Sequence, residues 1–193
     1  MSYPHHLHQQ PHDRLAGLPS LIDITAVRRQ NQQLVEVILL KSELLHDIEA
    51  VTHQIEKQRP PEAPSILPTG GADNYLLCRY IDTAVNQVVS RCQAYLLLPS
   101  PYAHRISTDH VSGWEEKSIY LALPHRWPPH CIEPLRDAIH NYIVERAVQL
   151  FTKLTDDKVS QICDQQAQSF YDDINVALNT RLGPTNVYPT FLG

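Results

Sequence analysis

Glycine is scarce in this 193-residue chain, at 6 residues, and four cysteines stand far apart with no CxxC pair among them. The spacing of Cys78, Cys92, Cys131 and Cys163 excludes a dense disulfide framework and reads as reduced core thiols. Long apolar runs are also missing. "LVEVILL" and "AYLLLP" are the richest stretches, far below the ~20 residues that span a bilayer. The start, "MSYPHHLHQQPHDRLAG", lacks the cationic and apolar blocks of a signal peptide. A net charge of -5 argues against a protein that grips nucleic acid by charge; Arg28-Arg29 and Arg105 allow at most incidental contact with DNA. No phosphate-binding glycine loop, GxSxG elbow or HExxH pair occurs.

What remains is a helix-forming chain with 42% hydrophobic residues, punctuated by 15 prolines. Residues 1–20 carry no period and read as an extended arm; its histidines (His5, His6, His8, His12) suit a solvated, docking segment more than a dedicated metal site. Residues 21–59 read as one long heptad-patterned helix. Val27, Leu34, Val37, Leu44, Ile48, Val51 and Ile55 form its a/d seam, widened by Ile38 and Leu45. A helix of ~36 residues would run ~54 Å, longer than a small core covers, so the seam reads as a candidate interface. Residues 60–73 form a Pro/Gly linker, with Asp73 as the expected cap of the next helix.

A helical core domain is expected over 74–182. Its first helix repeats Leu77, Ile81, Ala84, Val85, Val88, Cys92 and Tyr95. A small β-hairpin is expected near 104–123. A helix over 131–154 follows, with Pro134 in its first turn and an apolar face from Ile132 through Leu135, Ile139, Tyr142, Ile143, Ala147, Leu150 and Phe151 to Leu154. Thr155 is expected to cap a last helix over 156–181, whose inward face is Val159, Cys163, Ala167, Phe170, Ile174 and Leu178. The short connection makes these two an antiparallel pair. A tail over 183–193 carries Tyr188 and Phe191, which either fold back or plug a pocket on a neighbouring subunit. The fold class is thus mainly α: three to four core helices, a small β-hairpin, a long N-terminal helix, and extensions at both ends.

The densest chemistry lies in "ALPHRWPPHC", residues 122–131. His125, His130 and Cys131 suggest half a metal site or a Cys-His pair. Zinc needs three or four ligands, and nothing later supplies the others. A nucleophilic cysteine needs an orienting partner and an oxyanion hole, and no glycine-rich loop surrounds Cys131. The stretch reads instead as a rigid strand-to-helix corner with Trp127 buried in it and also a candidate contact residue. The carboxylate pairs Glu115-Glu116, Asp156-Asp157 and Asp172-Asp173 read as helix starts and surface charge. No catalytic residue, metal or cofactor is assigned.

The run "SIYLALPHRWPPHCIEPLRDAIHNYIVERAVQLFTKLTDD", followed by "QSFYDDINVALNTRL" and a Pro-containing tail, resembles small helical proteins encoded among structural genes of tailed bacteriophages and prophages. It is similar in plan to head-to-tail connector (adaptor or neck) proteins, which pack a few helices with a small β element and form rings beneath the portal. The resemblance covers about 74–182. It implies a non-enzymatic virion component at the head–tail junction, assembled in the host cytoplasm. The implied partners are copies of itself in a ring and other virion proteins such as portal or tail components, with no membrane partner. A cytoplasmic coiled-coil adaptor dimerising through 27–55 is the alternative.

Overall fold

The computed structural model describes residues 32–96 and 114–183. The described residues from Gln33 onward belong to one unit. Its first element is strand β1 (Gln32–Leu40), followed without a loop by helix α1 (Lys41–Glu56). Helix α2 spans Gly71–Arg91, strand β2 Glu116–Pro124, helix α3 Ile132–Thr152 and helix α4 Asp157–Asn179. Short 3-10 turns occupy Gln93–Tyr95 and Pro129–Cys131. The architecture is mainly α with one small antiparallel two-stranded β element.

The long helix expected over 21–59 is corrected. Only its second half is helical among the described residues. In "LVEVIL" the apolar residues are nearly continuous, so a heptad and a two-residue period both fit. Burial decides for the strand: Val35, Val37 and Leu39 face the core while Leu34, Glu36 and Ile38 face out. The β-branched Val35, Val37 and Ile38 suit that pleated surface better than a helix.

Among the described residues β2 pairs with β1; the 104–110 half of the hairpin expected with β2 lies outside them. The Lys41 amide donates to the Glu115 carbonyl at 3.0 Å. Continued along an antiparallel ladder, that bond sets Val37 opposite Ile119 and Val35 opposite Leu121; all four are buried. A single bridge joins Leu96 to Leu121 on the other side of β2. Trp114 closes the sheet against α2 by donating its indole N–H to Asp82 at 2.6 Å. The Lys41 ammonium lies 4.5 Å from its ring centre, a cation–π contact.

α3 is the central helix. It buries Leu135, Ala138, Ile139, Tyr142, Ile143, Val144, Ala147 and Val148 and packs on α1, α2 and α4. A helix apolar around most of its circumference belongs inside. Leu154, expected on that apolar face, lies beyond its end and is 93% exposed. The cap of α4 is Asp156, not Thr155: its Oδ1 accepts from the amides of Lys158 and Val159, both at 3.1 Å. Asp73 is likewise not the cap of α2. It sits in the first turn and reaches back to accept from the amide and hydroxyl of Thr69.

The Pro-rich segment after α1 is more than a spacer. Ile66 is buried in the core. Arg59 joins Glu56 at 2.9 Å and Asp156 at 2.7 Å, tying the end of α1 to the start of α4. Near the middle of α1, Asp47 meets His140 of α3 at 2.7 Å.

Candidate functional site

The corner over 122–131 is built as a bracket. Pro124 ends β2, and the Trp127 amide donates back to its carbonyl at 2.8 Å. Pro129 enters the 3-10 turn at a position where its missing N–H is harmless. Trp127 is fully buried, and its indole N–H donates to the Ala177 carbonyl on α4 at 2.7 Å. One more bond, from the Leu182 amide to the Arg126 carbonyl at 2.7 Å, fastens the end of α4 to the same corner. Trp127 is therefore an internal anchor, and its place among the contact residues is corrected.

His125 and His130 are exposed while Cys131 is buried. Among the described residues no hydrogen bond joins either imidazole to the thiol, and no group of three His, Cys, Asp or Glu converges on one point. Cys92 and Cys163 are poor nucleophiles by environment. Burial pushes Cys92 up to about 11. Cys163 is pushed up to about 12 by burial first, then by the negative charge of Glu145, which also accepts its S–H.

The seam residues divide by position. Val37, Leu44 and Ile48 are buried in the chain's own core, and Val51 and Ile55 are partly buried against it. They belong to the chain's own core, and in place of one helix over 21–59 the described residues form a strand followed by a shorter helix. Leu34 alone among the described seam residues faces out. Val27, Tyr188 and Phe191 lie outside the described residues, as do Arg28, Arg29, Arg105 and the N-terminal histidines.

Two surface features stand out. The first is the outward face of the sheet, where Leu34 is 50% exposed, Ile38 43% and Tyr120 53%. Among the described residues the outer edge of β1 has no strand beside it. Unpaired N–H and C=O groups next to apolar side chains form a template for another chain. Only Leu34 of these was on the expected interface; Tyr120 was missed because its outward direction depends on which neighbour β2 pairs with.

The second is a groove of about 580 Å³ between α2, α3 and α4, lined among others by Gln87, Arg91, Tyr142, Arg146, Asp164 and Tyr171. Gln87 Oε1 accepts from the Tyr142 hydroxyl at 2.7 Å and from Arg146 Nε at 3.2 Å. Arg146 Nη1 reaches Asp164 at 2.8 Å and Gln149 at 3.1 Å. The Arg91 guanidinium lies 4.8 Å over the Tyr171 ring, and its Nε donates to Asn175. Tyr142 and Tyr171 meet at 5.8 Å with their rings tilted by 45°. Burial raises the Tyr142 hydroxyl above its ordinary value, with the Arg146 charge opposing. The sequence reading placed Tyr142 in the apolar core and left the rest unassigned. The i, i+4 pair Tyr142/Arg146 was visible, but its meeting with Gln87 and Asp164 requires three packed helices.

Among the described residues no helix is long and apolar enough to cross a membrane. Comparison with family models, with curated proteins and with solved structures gives no match to this chain.

Proposed function

We propose that the protein is a non-enzymatic structural subunit that assembles with copies of itself. The observation that carries this reading is the apolar stripe of Leu34, Ile38 and Tyr120 beside the open edge of β1. Proteins that stay apart usually blunt such edges with charge or proline. Here Glu36 is the one charge on the outward side of β1.

A ring needs a head-to-tail contact, in which two different surfaces meet. The occupant assigned to the stripe is the C-terminal segment of a neighbouring copy, residues 183–193. That segment follows Leu182, whose amide is held at the β2–α3 corner, and it carries Tyr188 and Phe191 with Val187 and Leu192 between short polar residues. Short extended segments add to strand edges through their backbone and are selected by alternate side chains. The finer reading is a ring or collar component at the head–tail junction of a tailed phage, with portal or tail proteins as its further partners. It rests on the resemblance over 74–182.

Native mass spectrometry of the full chain over a concentration series tests the assembly. The expected result is a closed oligomer, dispersed by Leu34→Glu with Ile38→Glu and equally by Tyr188→Ser with Phe191→Ser. A wild-type chain that stays monomeric, alone and with portal or tail proteins, overturns the reading. An oligomer indifferent to the tail pair overturns the assigned occupant.

A further inference from the structure

The groove between α2, α3 and α4 has an uneven charge balance. Arg146 is met by the Asp164 carboxylate at 2.8 Å. Arg91 has only neutral partners, the Asn175 amide oxygen and the Tyr171 ring. No carboxylate lies within ion-pair distance of Arg91 among the described residues, and no hydrogen bond engages either of its Nη atoms. The groove therefore holds one uncompensated guanidinium with two donor nitrogens to spare. Beside it, the Tyr142 and Tyr171 rings and Ala167 supply an apolar wall.

We propose that this groove binds an aromatic monocarboxylate. A guanidinium fork matches a planar carboxylate with two parallel N–H···O bonds. One free positive charge suits one negative charge. A phosphate dianion would bring a second charge toward Asp164, which already occupies Arg146. The tyrosine wall suits a ring attached to the carboxylate, since tilted and offset aromatic contacts are favourable. The volume of about 580 Å³ falls in the ordinary range of small-ligand sites, roughly 300–1,000 Å³. This inference is independent of the assembly reading, because the groove and the outward sheet face share no residue.

The test is a titration of the full, isotope-labelled chain with 3-phenylpropionate, its neutral amide and inorganic phosphate, followed by amide and Arg Nε–H resonances. 3-Phenylpropionate should saturate a set of shifts centred on Arg91, Tyr142 and Tyr171, and the amide should bind about tenfold more weakly for loss of the charged hydrogen bonds. Arg91→Gln should lose about the same factor with its remaining spectrum unchanged, and Arg91→Lys should retain part of the affinity. Asp164→Asn should tighten binding severalfold, because it frees Arg146. Absence of saturable shifts, equal binding of the amide or of phosphate, or undiminished affinity in Arg91→Gln overturns the proposal.

Discussion

Tyr120 and Trp127 lie seven residues apart and end in opposite environments. Trp127 is fully buried, with its indole N–H spent on α4, whereas Tyr120 stands half exposed on the outward face of β2. The corner around Trp127 is dense in reactive residue types, yet its contacts are structural. The strand face around Tyr120, Leu34 and Ile38 leaves apolar side chains exposed, and it is the surface to which the assembly proposal assigns a partner. Residue chemistry alone thus does not say which side chains face outward, and direction of burial does.

The comparison is tested most severely by Trp127→Ala. Removing a buried tryptophan costs about 3–5 kcal/mol, and here the Ala177 carbonyl also loses its donor. Urea denaturation should show a loss of that size, enough to unfold a marginal domain. His125→Ala and His130→Ala, both at exposed positions, should stay within about 0.5 kcal/mol. A stable Trp127→Ala protein would dissolve the contrast between the two regions.

The same contrast explains what was legible in the sequence. The helical faces of α2, α3 and α4 could be read because each has a clear inside: Leu77, Ile81 and Val88, or Val159, Cys163 and Ile174, are all buried as their spacing requires. Trp127 at its proline corner could be read for the same reason, as local turn chemistry. β1 could not. Six apolar residues in seven from Leu34 to Leu40 satisfy both periods, and the strand wins only through its distant partner β2. Arg59 was equally invisible, because Glu56 is its neighbour but Asp156 is 97 residues away. The groove needed three helices in register before its charges met.

Asp156 gives the next largest effect. It caps α4 and holds the buried Arg59. Asp156→Ala should cost about 1 kcal/mol for the cap and more for the ion pair lost from Arg59, which keeps only Glu56 as its carboxylate partner. Asp156→Asn keeps a capping oxygen and isolates the ion pair. The backbone amide of Val159, followed by Arg59, holds the Asp156 carboxyl below its ordinary 3.8, and Arg59 does the same to Glu56. A carboxyl lowered in the folded state stabilises above its unfolded value, and that stability is lost as pH falls through the lowered value. Melting temperature should therefore fall as pH drops from about 5 toward 2, and less steeply in Asp156→Asn. A flat profile in the wild type would remove the pair from the account.

Glu145 works in the opposite sense. Burial raises its carboxyl above the ordinary 4.5, against the Cys163 S–H, and its Oε2 has no hydrogen-bond partner among the described residues. Its contribution is present below the unfolded value and lost as pH rises through the raised one. Glu145→Gln should raise the melting temperature at pH 8, and the gain should vanish near pH 4. Equal gains at both pH values would mean that packing, not charge, is the cause.

The smallest stability effect belongs to the outward sheet face, and it closes the comparison. Leu34→Ser with Ile38→Ser removes side chains already half in water, so the unfolding free energy at low concentration should change by no more than about 0.5 kcal/mol. The oligomer expected from the assembly reading should nevertheless disperse, because the same side chains would be buried between copies. Trp127→Ala reverses both outcomes: the fold fails first, and assembly only as a consequence. Chemical denaturation and native mass on the two variants separate the regions. If the sheet variant unfolds like the corner variant, the stripe is part of the fold and not a surface held out to a partner.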